Sequence, residues 1–328
     1  MKILYAIQGT GNGHLARATE IVPVLNEIGE TDILVSGIQG DIRLPFPVKY
    51  KLYGFSFIFG EKGGVAIWKT IKKARLFRLV NDIRKIPVRE YDLVINDFEP
   101  VTAWACKLRK KSCIGLSHQN AVLHPKAARP EKRDRLGEFI LKHYAPAKIR
   151  YGFHFKQLDD RNFTPVIRSS IRKAKANDKG HCTVYLPAFS DSEIEKILGQ
   201  HKSVRWEVFS KHCPKSYTKG SIQFNPVSLD GFNRSFVSCA GIVCTAGFET
   251  PAEALFMGKK LCVIPMKNQY EQACNAAMLA EMGVPVITKT GACRAILSNW
   301  LQSGQAIQIN YPDNTRSILK GVIQAGAM

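Results

Sequence analysis

Short apolar runs alternate with segments of helical periodicity along the chain, and that rhythm limits the fold more than any other feature. Runs over 2–7, 32–36, 48–53, 92–96 and 112–117 read as strands, and 15–28, 66–85 and 100–109 as helices. Such a series builds a parallel sheet, because parallel neighbours need a crossover long enough to hold a helix. Over 157–180, QLDDRNFTPVIRSSIRKAKANDKG, the pattern weakens into a polar, charge-rich linker. It then restarts, with strands over 181–188, 204–210, 221–227, 240–246, 260–266 and 284–288 and helices over 191–199, 250–257 and 270–282. The expectation is an α/β chain of two doubly wound, Rossmann-like domains facing a cleft, residues 1–160 and 161–328. The last helix, NTRSILKGVIQAG, is free to pack back on the first domain. A length of 328 residues suits two cores of this kind.

Ligands of open α/β sheets sit at the carboxyl ends of the strands, so chemistry is sought in the loops that follow strands. The first such loop lies in AIQGTGNGHLARA, residues 6–18, where Gly9, Gly11 and Gly13 lead into His14. A dinucleotide fingerprint needs a third glycine where His14 stands, and an acid after the second strand, which ends in LVSGIQG. No G-K-[ST] follows, so a P-loop is excluded. What remains is a glycine turn that brings backbone N–H groups and a helix N-terminus up to a ligand. His14 then stands in the first helical turn, either as a general base or packed against the turn.

The second loop follows the strand that ends at Cys244. Thr245, Ala246 and Gly247 make a tight turn, and Thr250 and Pro251 open a helix whose free N–H groups suit a diphosphate. Glu253 lies three residues after Thr250, so the pair reads either as a capping box or as a carboxylate free to accept both hydroxyls of a ribose. Past Pro265, Glu271 and Gln272 open another helix where they can bond sugar hydroxyls, and Asn275 is placed one turn on to tie the loop down.

These residues resemble the glycosyltransferases of the GT-B fold, and are similar to the bacterial MurG-type and the plant or macrolide UDP-glycosyltransferase groups. The glycine-histidine loop after strand one appears here as GTGNGHLARA, and the C-terminal pattern as Gly247, Thr250, Glu253, Pro265 and Gln272-Ala-Cys-Asn275-Ala276. The resemblance spans both domains through motifs covering about a fifth of the chain. It implies that Thr250 and the backbone near Gly247 hold a donor diphosphate, and Gly11 and Gly13 of the glycine turn are expected among the substrate- or nucleotide-binding residues. It implies that Glu253 holds the ribose, that Pro226 and Val227 meet the base, and that Glu271 and Gln272 contact the donor sugar. His14 matches the family's base or acceptor-side histidine. Two departures stand out: LPAFSDSEI replaces the MurG-type GGSxGA loop, leaving Ser190 at a helix start to face the phosphates, and Thr245 replaces the plant-type histidine.

The implied reaction is inverting, metal-independent transfer of a sugar from a nucleotide-diphosphate donor, UDP by resemblance, to a hydroxyl acceptor. No DxD motif is convincing, since LDDRN lies in the linker, and no cofactor is expected. Asp97 and Glu99 follow the fourth strand and His118 the fifth, so each is a candidate catalytic group. Either acid is placed to orient His14 or His118, or to cap the next helix. The other six histidines lack such context.

Lys and Arg number 47 against 27 acids, a net charge of +20 that attracts anions. Much of it lies in 68–90 and 124–150, where bases interleave with apolar residues as in helices that lie on anionic membranes or as in a solvated helix face. An anionic or lipid-linked acceptor at a membrane surface fits, and GFSFIFGEKGGVAIW, 54–68, reads either as a lid over an apolar acceptor or as core plus loop. The nine scattered cysteines read as reduced thiols, and MKILYAIQG as a strand rather than a signal peptide. The expected location is cytoplasmic, peripheral to the inner membrane face. A hydrolase or 2-epimerase acting on the same donor is the alternative. A nucleic-acid binder would answer to the charge but lacks any signature motif, so no nucleic acid is expected.

Overall fold

The computed structural model describes residues 1–37, 43–54 and 76–327. The expected lid at 54–68 and the basic run from 68 to 75 lie outside the described residues, apart from Gly54. The N-terminal sheet contains β1 (Lys2–Gln8), β2 (Glu30–Ser36), β3 (Tyr50–Leu52), β4 (Leu93–Asp97), β5 (Ile114–Leu116), β6 (Ile149–Phe153) and β7 (Asn162–Phe163). Its order is β3-β2-β1-β4-β5-β6-β7, parallel throughout. The second sheet contains β8 (His181–Tyr185), β9 (Arg205–Ser210), β10 (Tyr217–Lys219), β11 (Ile222–Pro226), β12 (Gly241–Cys244) and β13 (Lys260–Val263), in the order β10-β11-β9-β8-β12-β13. It is parallel except for the β10–β11 hairpin. Setting aside the β10–β11 hairpin, each order reverses direction once, beside β1 and beside β12, where the two glycine loops begin.

β1 shows why its sequence is apolar almost without a break. Ile3, Tyr5 and Ile7 pack on one face against Leu15, Ala18, Ile21 and Leu25 of the helix Asn12–Ile28, while Leu4 and Ala6 face Val94, Val101 and Ala105 on the other. A strand covered on both faces has no solvent side to make polar. The first of these clusters continues through Phe153 and Phe155 into Phe248, Ala252 and Leu255, so the domains share apolar packing.

The structure departs from the expected elements in several places. In the basic stretch 124–150 only Arg135–His143 is a nine-residue helix, and β6 begins at Ile149. β7 carries the first sheet past residue 160 and into the expected linker. The expected strand at 284–288 is reduced to one bridge, Val286 to Val263, and the helix Cys293–Ser303 was not expected. The helix Thr315–Ala327 packs on Asn12–Ile28 and β4, where Gly326 lies against Leu93 and Ile114 and Arg316 pairs with Glu27. All nine cysteines are unpaired and buried. No helix among the described residues is long and apolar enough to cross a membrane.

Candidate functional site

The loop after β1 ends at Gly11, whose φ of 98° favours glycine. Gly11 is the N-cap of Asn12–Ile28, with no side-chain cap and no acid in the first turn. Gly9 lies so close to β2 that a Cβ there would meet Val35 at 2.8 Å. The cap residue brings no side chain to the first N–H groups, and the helix start carries a partial positive charge. His14, in its first turn, places Nδ1 2.8 Å from Asp97 Oδ1. Arg17, one turn on, donates to Asp97 from Nη2 at 2.7 and 2.9 Å and from Nε at 3.2 Å. Burial would raise the Asp97 carboxyl, but Arg17 and then His14 hold it below its ordinary range.

The far wall comes from the second domain. The helix Glu249–Met257 has Phe248 as N-cap in αR geometry and no side-chain cap. The capping-box reading of Thr250 with Glu253 is therefore not realised. Arg168 instead grips Glu253 bidentately, at 2.6 and 2.7 Å. Asn275 ties the loop by donating to Ala246 O at 3.0 Å, and Gln272 Oε1 accepts from Met266 N at 2.9 Å. Gln119 spans the walls, with Nε2 3.0 Å from Glu271 Oε2 and 3.3 Å from His14 Nε2. Its bond to a carboxylate fixes Nε2 as a donor, so His14 Nε2 accepts and Nδ1 carries the proton towards Asp97.

The cleft has a volume of about 480 Å³, within the range of small-ligand sites. It gathers His14, His118, Gly11, Gly13, Val227, Gly247, Thr250, Glu253, Glu271 and Gln272 of the expected residues. Four others lie elsewhere. Pro226 borders an adjacent groove. Ser190 caps the helix Asp191–Leu198 through Glu193 N and is not on the cleft wall. Asp97 stands behind His14, wholly buried.

Glu99 is also buried and caps the helix Pro100–Leu108, accepting from Val101 N, Thr102 N and Ser36 Oγ at 2.7, 2.6 and 2.6 Å. It orients no histidine: a carboxylate at a helix start is drawn to the open N–H groups nearest to it. His118 is only 1 % exposed, with Nδ1 2.8 Å from Phe153 O and Nε2 2.7 Å from Asn275 Oδ1. It stacks on Phe248 at 3.9 Å, and burial lowers its pKa to about 4. Its contacts join the domains, and neither nitrogen is left for a substrate.

Sequence reasoning missed Arg17, Gln119, Arg168 and Glu249, all on the cleft wall. Arg17 lies one helical turn after His14, and Gln119 directly follows His118, so both carried a local signal. Arg168 fell in the linker and had none.

Residues 1–302 match the sequence model of the family described as glycosyl transferase family 1. No curated protein matches the chain. Among solved structures, a glycotransferase of kitacinnamycin aligns at a TM-score of 0.58 and 14 % identity over 99 % of this chain and 95 % of its own. A UDP-glucosyltransferase from Polygonum tinctorium aligns at 0.58 and 14 % over 99 % and 94 %, and MurG of Acinetobacter baumannii at 0.55 and 16 % over 98 % and 99 %. At such identities the shared property is the fold, two α/β domains in the GT-B arrangement.

Proposed function

The chain belongs to glycosyl transferase family 1, and from that premise we propose that it transfers a sugar, with inversion, from a nucleoside-diphosphate donor to a hydroxyl acceptor. The observation that carries this reading is the meeting of two uncapped helix N-termini, one from each domain, beside the His14–Asp97 pair. Fixed N–H dipoles at that point suit the charge that gathers on a leaving diphosphate. Arg43 and Lys211 on the cleft wall add positive charge, which supports a reaction that needs no metal.

In this mechanism the acceptor hydroxyl displaces the Gln119 amide from His14 Nε2, which takes its proton while the hydroxyl oxygen attacks the anomeric carbon on the face opposite the leaving group. Asp97 holds the ring in the Nδ1–H tautomer and stabilises the imidazolium. Glu253 accepts from ribose hydroxyls with the lone pairs Arg168 leaves open, since an ionised carboxylate has about four acceptor sites. Glu271 and Gln272 face the donor sugar, and Val227 the base.

UDP is favoured by motif resemblance and by the likeness to a protein named as a UDP-glucosyltransferase. The helix Arg135–His143 exposes Leu136 and Phe139 among basic residues, which supports an anionic or lipid-linked acceptor at a membrane surface.

Thermal shift with UDP, GDP and dTDP, with and without Mg²⁺, tests the donor. At about a hundred times its Kd a nucleotide stabilises the fold by about 2.7 kcal/mol, a rise of several degrees in Tm. A rise with UDP that Mg²⁺ leaves unchanged is expected. No rise with any of the three removes the reading, and nucleotide release that no acceptor accelerates points to a hydrolase instead.

A further inference from the structure

Asp97 and Glu249 share one guanidinium. Arg17 binds Asp97 with Nε and Nη2 and closes an ion pair to Glu249 with Nη1. Asp97 lies behind His14. Glu249 lies across the cleft as the first residue of the uncapped helix Glu249–Met257, and its Cγ comes within 3.2 Å of where a Cβ on Gly13 would stand. Only its Oε1 is hydrogen-bonded among the described residues, and 14 % of its side chain is exposed. An acid at this position is unexpected, because a diphosphate at the same helix end would repel its ionised form.

The surroundings push the two carboxyls apart. Asp97 is held below its ordinary range. Burial pushes Glu249 up to about 7; Arg17 opposes this, Glu253 and Asp97 add to it, and His14 opposes it. Among the described residues, Arg168, Arg43 and Lys211 are the remaining charged groups on the wall, besides Glu271. Two carboxyls separated in this way by their environments mark one site as ionised and the other as able to give a proton near neutrality.

Resting on the transfer reaction above, we propose that Glu249 is its acid, a catalytic residue that donates a proton to the diphosphate oxygen as the bond to the sugar breaks. The acceptor's proton passes to His14 Nε2 and its oxygen bonds to the anomeric carbon. The bond from that carbon to the diphosphate oxygen breaks with its electron pair on the oxygen, which takes the Glu249 proton. An imidazolium and a carboxylate remain, the latter held by Arg17. One proton passed from the first to the second through water restores the site, so no co-reactant is consumed.

The test follows nucleoside-diphosphate release from UDP-, dTDP-, GDP- and CDP-glucose, with water as acceptor, from about pH 5 to about pH 9. It uses the full chain as wild type, Glu249→Gln and Glu249→Asp. Loss of a general acid lowers turnover about 10²- to 10⁴-fold. Glu249→Gln is expected to show that loss and to lack the alkaline limb, with donor Kd at about pH 5 within about threefold of wild type. Glu249→Asp is expected to restore the limb at a lower rate. Calorimetry in two buffers of different ionisation enthalpy gives a readout independent of turnover. At about pH 8 wild type is expected to take up close to one proton on donor binding and Glu249→Gln none. Equal uptake in the two proteins, or wild-type turnover in Glu249→Gln, overturns the acid while leaving the donor reading intact. Failure of wild type to bind any of the four donors overturns both.

Discussion

His14 and His118 begin from the same address. Each follows a parallel strand of the N-terminal sheet, each stands in the first turn of a helix, and each lines the same cleft. Their partners separate them. His14 has a carboxylate behind it and an acceptor nitrogen on the cleft side, while His118 has both nitrogens against carbonyl oxygens and one face covered by Phe248. The difference teaches that a strand-end histidine can serve as a base only where the fold supplies an ion to hold one nitrogen and keeps the other an acceptor on the cleft side, here met by the Gln119 amide at 3.3 Å. Packed between two domains, the same residue becomes a fastener.

The comparison breaks most visibly in rate. His14→Ala is expected to lower kcat by about 10²- to 10⁴-fold with little change in Tm, measured by nucleotide release and by calorimetric melting. A variant within a few-fold of wild type would make His14 no more a base than His118. Asp97→Asn leaves Arg17 buried with one carboxylate fewer, and breaking such a pair costs about 3–5 kcal/mol of stability as well as activity. Urea unfolding measures the loss, and an unchanged midpoint would show that Glu249 alone suffices for Arg17.

The smallest expected effect sharpens the other side. Because the His118 pKa is about 4 in the fold against about 6.5 in an unfolded chain, the unfolded state binds more protons between these values. The stability from the neutral ring is complete above about pH 6.5 and is lost as pH falls towards 4, by up to about 3 kcal/mol. His118→Phe, which keeps a ring on Phe248, is expected to flatten that part of the pH–stability curve. An identical acid slope would assign it to other groups, among them His154, which burial also lowers, to about 3.

The parallel strands and both glycine loops were legible because apolar runs and glycine turns are local signals. β7 was not, since two residues cannot display a period, and β10 is an exposed three-residue strand with no apolar face. In the site, Glu253 could be placed on the cleft from its spacing, but Arg168, 85 positions away, could not be assigned to it. Arg17 and Glu249 are 232 positions apart and meet only when the two sheets are brought together. The sequence motifs marked loops that line the cleft, and the ion pairs that tune the side chains are long-range products of the fold.

The return of Thr315–Ala327 to the first domain gives the molecule a mechanical property. The chain crosses between the sheets twice, between β7 and β8 and again between Cys293–Ser303 and Thr315–Ala327. The crossings lie side by side, joined where Arg172 Nη1 donates to Tyr311 O at 2.9 Å and Tyr311 to Phe155 O at 3.1 Å. Two adjoining crossings absorb a hinge-like rotation more readily than a shear of one body along the other. Opening the cleft would thus part Arg17 from Glu249 and Gln119 from Glu271 together, in one rotation.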